Sequence, residues 1–160
     1  MNKVIDIDAL MVQTWLTVAQ LRHGGQVTDG PALYAACKAQ VESVREALER
    51  AGLSTESIDH ITYAQCALLD ETVMNRKPEA QQPENRDAII SASSGQDALN
   101  MTLDAGQRAW RSAPLQAVTF AFLCARESFY DRIAELLSLP YLEPALLVGI
   151  YRVTARAFYW

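Results

Sequence analysis

Residues 63–75 read YAQCALLDETVMN and place two adjacent carboxylates, Asp70 and Glu71, inside an otherwise apolar run. Charged side chains are seldom buried unless they are paired. When the stretch from about residue 54 to residue 75 is wound as a helix at about 100° per residue, apolar side chains fall on every side of it. A helix that is apolar all round is typical of the centre of a helical protein. The sequence therefore predicts that this helix is central.

Helical periodicity continues on both sides of this stretch. No strand pattern or internal repeat stands out, so the sequence predicts an all-α fold of about six to eight helices, the first two wrapped around the central one. Further helices are predicted over about 8–22, 29–51, 94–110 (the weakest pattern), 112–137 and 143–160. The predicted structural core includes Trp15, Cys66, Leu68, Leu69 and Phe120.

A polar segment with two prolines, RKPEAQQPENRD at residues 76–87, is the best linker in the chain. It predicts that residues 77–86 are the most mobile internal part, because they have little to bury. The chain is expected to form a single domain, divided into residues 1–76, a linker and variable segment at 77–108, and residues 109–160.

Charge and cysteine content exclude several classes of protein. The formal net charge is −5 and the pI is about 5.0, which argues against nucleic acid as a partner. Three cysteines without a C-x-x-C pair indicate reduced thiols and a cytosolic compartment. The acidic N-terminus does not fit a signal peptide, and no apolar run approaches the ~18 residues of a membrane span. The chain as given is expected to be soluble.

Catalytic and metal sites find little support in the sequence. The chain has two histidines. His23 is expected to end a helix, where its position suits the helix dipole, and His60 is expected to be a partly exposed polar residue. No G-x-S-x-G, H-E-x-x-H or phosphate-binding loop is present, and the cysteines are too scattered for zinc. The sequence predicts no catalytic residue, no metal ion and no cofactor.

The two carboxylates diverge by about 100° on the helix, so they cannot act together on one substrate atom. One of them is expected to be a structural lock, which caps a neighbouring helix or pairs with an arginine. The other would be an acidic feature presented to a protein partner. A small helical enzyme that uses Asp70 or Glu71 is the competing hypothesis, although no second convergent polar group is visible. Candidate arginine partners are Arg126, Arg152 and Arg156.

The sequence favours Asp70 for binding and Glu71 for the lock, because Asp70 shares its helix face with Tyr63 and Met74, residue types common at interfaces. The reverse assignment stays open. Asn75 lies on the face of Glu71 and completes the predicted groove.

The stretch YAQCALLDETVMN resembles the signature of the TssL/DotU/IcmH family, which reads approximately Y-A-x-C-A-L-L-D-E-x-V. The flanking segments IDALMVQTWLTVAQLRHGGQVTDGPALY, WRSAPLQAVTFAFLCARESFYDRIAELL and GIYRVTARAFYW are also similar to family segments. The chain departs from the family's Gly-Gly-Glu pattern at Ala125-Arg126-Glu127-Ser128. The segment at residues 77–108 looks longer than the corresponding family segment and differs from it in sequence.

The resemblance implies a non-enzymatic scaffold of the type VI secretion membrane complex. It implies two small helical bundles in a hooked shape, at residues 1–76 and 109–160. It also implies a location at the bacterial inner membrane with this domain in the cytoplasm, and a membrane anchor beyond residue 160. The implied partners are a TssM (IcmF-like) membrane protein and a TssK-like baseplate protein, and a homodimer is an open alternative. The other alternative is a soluble all-α adaptor unrelated to secretion.

Overall fold

The computed structural model describes residues 4–25, 27–76, 105–119 and 129–158. In these ranges the chain forms eight helices and no strand, as an all-α fold requires. The helices are α1 (Ile7–Leu10), α2 (Val12–Arg22), α3 (Gly30–Arg50), α4 (Thr55–Met74), α5 (Ala105–Arg111), α6 (Leu115–Thr119), α7 (Phe129–Leu137) and α8 (Pro144–Phe158).

Local capping chemistry sets several helix boundaries. The Asp29 side chain accepts a hydrogen bond from the Ala32 N–H at 2.9 Å at the start of α3. The Ser54 hydroxyl accepts one from the Ser57 N–H at 3.2 Å at the start of α4. Both residue types are preferred at helix N-termini because they satisfy orphan N–H groups. Gly52, at φ 85°, gives the turn between α3 and α4 its left-handed conformation.

The predicted first helix, over residues 8–22, is interrupted in the structure. Met11 lies between α1 and α2 and is fully buried. A separate cap at Asp6, whose side chain accepts from the Ala9 N–H at 3.1 Å, starts α1. The apolar periodicity runs through both helices, so it could not reveal this break.

Helix α4 is the centre of the fold, as its apolar pattern predicts. Of its 20 residues, 15 are buried. Helices α2, α3, α5, α6, α7 and α8 all contact it. Leu68 and Leu69 are 1% and 0% exposed, and Cys66 is fully buried. Trp15 is only partly buried at the edge of the core, and Phe120 lies outside the described residues.

Two apolar clusters flank α4. The first contains Leu69 of α4 together with Val18 and Val41 from α2 and α3 and with Trp110 and Leu115 from α5 and α6. The second contains Ile61 of α4 together with Ile7 and Leu48 from α1 and α3 and with Leu136 and Leu146 from α7 and α8. Each cluster therefore takes residues from both the first and the last part of the chain. The division into two bundles joined by residues 77–108 stays a prediction, and residues 77–104 lie outside the described part.

The later helices follow the predicted pattern in part. Helix α7 ends at Leu137 and α8 begins at Pro144, close to the predicted boundaries. The predicted helix over residues 112–137 begins later, at Leu115, and residues 120–128 lie outside the described part.

Gly30 allows α3 and α5 to pack closely, because a Cβ there would lie 2.0 Å from the Ala105 carbonyl oxygen.

Candidate functional site

Asp70 joins the end of α4 to the segment that carries α5 and α6. Its Oδ1 accepts hydrogen bonds from the Trp110 indole N–H at 2.8 Å and from the Leu115 backbone N–H at 2.9 Å. Its Oδ2 accepts from the Gln116 backbone N–H at 3.0 Å. With 6% of its surface exposed, Asp70 is a buried carboxylate whose two oxygens both have N–H partners. This is the requirement for keeping a carboxylate inside a protein.

The sequence around Pro114 explains why α6 needs a cap from another helix. Pro114 precedes the first residue of α6, and its carbonyl accepts the first helical bond, from the Val118 N–H at 3.1 Å. Proline has no side-chain acceptor, so the first N–H groups of α6 cannot be capped locally. Asp70 supplies that acceptor from α4, and its negative charge also suits the positive end of the α6 dipole.

The environment of Asp70 affects neighbouring titratable groups. Burial raises the pKa of the Asp70 carboxyl above its ordinary value, and the N–H donors of Gln116, Leu115 and Trp110 offset part of that rise. Burial, with the nearby Asp70 charge, raises the pKa of the Cys37 and Cys66 thiols to about 12. Since the thiolate is the reactive form, these two buried cysteines are inert at neutral pH.

A second contact also joins the end of α4 to the segment that carries α5 and α6, but here the side chain comes from α5. The Gln107 side-chain amide donates to the carbonyl oxygens of Met74 and Arg76, at 3.1 and 2.8 Å. Met74 is the last residue of α4, whose final carbonyl groups have no helical partner, and Arg76 lies two residues beyond it. Thus α4 caps the start of α6 through Asp70, and α5 caps the end of α4 through Gln107.

Glu71, next to Asp70 in sequence, lies on the surface. It is exposed, and among the residues that the structure describes its Oε1 accepts one long hydrogen bond, at 3.5 Å, from the Asn75 side-chain amide. Asn75 is also exposed, and Met74 is 41% exposed. We call Glu71, Met74 and Asn75 the α4 edge. It presents one carboxylate, one amide and one thioether on the last turn of the central helix.

Tyr63, the remaining residue of the predicted groove, does not share this surface. It is 5% exposed, and the Arg132 guanidinium lies over its ring at 4.0 Å. Arg132 Nη1 also lies 3.2 Å from His60 Nδ1. An arginine can only donate, so Nδ1 carries the lone pair and the ring proton sits on Nε2. This cluster fastens α7 to the buried side of α4.

Two expectations from the sequence need correction. His60 is 9% exposed rather than a partly exposed surface residue, because α7 covers it through Arg132. The sequence favoured Glu71 as the buried lock and Asp70 as the binding residue. In the structure Asp70 is buried and Glu71 is exposed. The helix pattern alone did not show which face α5 and α6 cover.

The arginines proposed as partners of the carboxylates have other contacts in the structure. Arg152 and Arg156 lie 3.1 and 3.7 Å from Asp8, and Arg126 lies outside the described residues. The partners of Asp70 are uncharged N–H groups, so no charged residue in the sequence indicates them.

The described residues around the end of α4 are joined by apolar packing and hydrogen bonds. Within the ranges that the structure describes, no group of three or more His, Cys, Asp or Glu side chains could hold a metal ion. His60, with Arg132 at one ring nitrogen, lies 4.0 Å from Glu56 at the other. None of the described helices is both long enough and apolar enough to cross a membrane.

Comparisons with known proteins extend over most of the chain. The sequence model of a family described as "Type VI secretion system protein DotU" matches residues 6–159. Among solved structures, SciP/TssL of the type VI secretion system from enteroaggregative Escherichia coli 042 is similar, with 35% sequence identity and a TM-score of 0.70. That match covers 94% of this chain and 73% of the other. No curated protein matches the sequence.

Proposed function

The chain belongs to the DotU family of type VI secretion system proteins, and we propose that it is a non-enzymatic scaffold that docks the membrane complex to the baseplate. In this proposal it binds a TssM-like membrane protein and a TssK-like baseplate protein. It works on the cytoplasmic side of the bacterial inner membrane. Family membership leaves no support for the alternative of an adaptor unrelated to secretion.

The observation that carries the docking proposal is the different exposure of the two adjacent carboxylates. Asp70 is buried and accepts hydrogen bonds on both carboxylate oxygens, whereas Glu71 lies exposed on the α4 edge with one long hydrogen bond among the described residues. An exposed carboxylate beside a methionine and an amide offers charge, apolar area and hydrogen-bonding groups to a partner. The contacts of Asp70 and Gln107 join the last turn of α4 to α5 and α6.

The same geometry weighs against the competing enzyme hypothesis. A carboxylate that works as an acid or base needs access to substrate and a second group within hydrogen-bond reach. Asp70 has no access, since it is 6% exposed and its oxygens are occupied by N–H donors. Glu71 has access, but its described polar neighbour is the Asn75 amide, which neither gives nor takes a proton.

The experiment is co-purification of the chain with the TssM-like and TssK-like proteins of its own secretion cluster. Glu71→Arg on the α4 edge is compared with Glu42→Arg, which reverses an exposed glutamate on the outer side of α3. We expect Glu71→Arg to reduce recovery of at least one partner about tenfold or more, because a reversed interfacial charge repels its counterpart. The Glu42→Arg variant should keep wild-type recovery.

Three results would overturn the docking proposal. They are failure of the wild-type chain to recover either partner, equal recovery by all three chains, and equal losses in both variants. Circular dichroism of both variants shows whether a loss comes from unfolding. Activity of the purified chain toward a small-molecule substrate, lost in Glu71→Gln, would overturn the scaffold assignment itself.

A further inference from the structure

Helix α7 places two buried side chains against the central helix, one helical turn apart. Among positions 131–137, only Arg132 and Leu136 are buried, at 5% and 4% exposure. Leu136 lies in the second apolar cluster with Ile58 and Ile61 of α4. An arginine is seldom buried unless its charge and its N–H groups are satisfied. The attachment of α7 therefore depends on what surrounds Arg132.

Two side chains of α4 receive the Arg132 guanidinium. Its Nη1 lies 3.2 Å from His60 Nδ1, and its central carbon lies 4.0 Å from the centre of the Tyr63 ring. The face of an aromatic ring attracts a cation. An imidazole nitrogen accepts an N–H only while it carries no proton of its own. The hydrogen bond between Arg132 and His60 therefore exists only while the imidazole is neutral.

Three acids near the His60 ring favour its protonation, but each is a weak partner for a proton there. Glu56 lies 4.0 Å from Nε2, and its side chain is 76% exposed. Asp59 is paired at 2.5 Å with Arg45 of α3. Glu135 of α7 is exposed. Water screens the two exposed charges, and Arg45 already neutralises the third acid.

Protonation of His60 acts against the attachment of α7 in two ways. Nδ1 loses the lone pair that accepts from Arg132, and a second positive charge appears beside a buried guanidinium. While α7 is attached, burial and the charge of Arg132 lower the pKa of His60. A detached α7 leaves His60 closer to its ordinary pKa of about 6.5. Because the detached state binds the proton more tightly, acid shifts the equilibrium toward it.

We propose that α7 is a proton-sensitive element: uptake of one solvent proton at His60 Nδ1 displaces Arg132 and detaches α7 while the other helices stay packed. Detachment uncovers the His60 and Tyr63 rings on the central helix. Local opening of one helix is possible when few side chains hold it. The proposal is independent of docking through the α4 edge, because His60 lies in the first half of α4 and Glu71 lies near its end.

Hydrogen exchange of the 160-residue chain between pH 5 and 7.5, corrected for intrinsic amide rates, tests the detachment. We expect the opening constant of α7 amides to exceed that of α3 amides at least tenfold, since α7 opens without global unfolding. It should rise at least threefold from pH 7 to pH 5, with an upper limit of about tenfold per pH unit for one proton. Equal opening constants in α7 and α3, or an α7 opening constant that does not change with pH, overturn the proposal.

The two histidines of the chain supply a variant and its matched control. In His60→Gln the side-chain oxygen can accept from Arg132 at every pH, so the pH dependence of α7 opening should disappear. His23→Gln, at the exposed cap of α2, should keep the wild-type dependence. A rise that persists in His60→Gln, or one that is lost in His23→Gln, overturns the assignment to His60.

Nuclear magnetic resonance of the wild-type chain tests the same step without a substitution. At pH 7 the nitrogen shifts of the His60 ring should show the proton on Nε2, because Nδ1 accepts from Arg132. On acidification the amide resonances of α7 should move with the same midpoint as the His60 ring. A proton on Nδ1 at pH 7, or α7 amides that do not follow the ring, overturns the proposal.

Discussion

At the scale of the residue, one step along α4 separates two environments. Asp70 turns inward and meets three N–H donors from Trp110, Leu115 and Gln116. Glu71, rotated by about 100° around the same helix, turns to solvent. The two acids therefore differ in chemical role although they are adjacent in sequence. We expect the first to act on the stability of the fold, and we propose that the second is available to a partner.

Asp70→Asn should lower the free energy of unfolding by about 1–3 kcal/mol. An asparagine has only one acceptor oxygen, so its NH₂ group would face an N–H donor that Asp70 now satisfies. Glu71→Gln is the matched control and should change the free energy of unfolding by less than about 0.5 kcal/mol, since Glu71 is exposed. Denaturant unfolding followed by circular dichroism gives both numbers. Equal effects of the two substitutions would contradict the assignment of Asp70.

His60 gives the fold a pH dependence whose direction follows from its contacts. Burial, together with the charge of Arg132, lowers the pKa of His60 below its ordinary value, and Glu56, Glu135 and Asp59 oppose this only in part. Below about pH 6.5 the unfolded chain therefore binds a proton at His60 that the folded chain does not bind. The contribution of His60 to the free energy of unfolding is complete above about pH 6.5 and is lost as the pH falls toward the folded pKa.

His60→Gln should therefore flatten the curve of unfolding free energy against pH between about pH 5 and 7. The difference in slope should be at most about 1.4 kcal/mol per pH unit, the value for one proton. Urea unfolding of wild type and variant at several pH values measures it. Parallel curves for the two proteins would show that His60 does not titrate on unfolding in this range.

At the scale of the element, the sequence predicts helices well and contacts between distant helices poorly. The central position of α4 follows from apolar side chains on all its faces, and its start follows from Ser54. The role of Asp70 does not follow, because its partners lie 40 to 46 residues away in the chain and are N–H groups. Likewise, the burial of His60 depends on Arg132, 72 residues away.

Leu68→Ala tests the central position of α4. Leu68 is 1% exposed within the first apolar cluster, so truncation should lower the free energy of unfolding by about 2–5 kcal/mol through lost burial and a cavity. Leu16→Ala, at a leucine that is 51% exposed on α2, should cost much less. Chemical denaturation compares the two variants. A loss below about 0.5 kcal/mol for Leu68→Ala would place α4 at the periphery.

At the scale of the whole molecule, α4 is shared by helices from both ends of the chain. Helices α2 and α3 pack on it from the first part, and α5, α6 and α8 from the last. The Asp70 and Gln107 contacts fix the end of this shared helix, where Glu71, Met74 and Asn75 are exposed. We infer that Asp70 holds this end in place, and we propose that Glu71 is left for a partner.

The most direct test measures the affinity of the TssK-like baseplate protein for wild type, Asp70→Asn and Glu71→Gln, alongside the melting temperature of each chain. Binding is measured by calorimetry at a temperature where all three are folded. We expect Glu71→Gln to melt like wild type but to bind at least about tenfold more weakly, the equivalent of 1.4 kcal/mol. We expect Asp70→Asn to melt lower but to bind within about threefold of wild type. Weak binding by Asp70→Asn together with wild-type binding by Glu71→Gln would contradict the assignment of the two carboxylates.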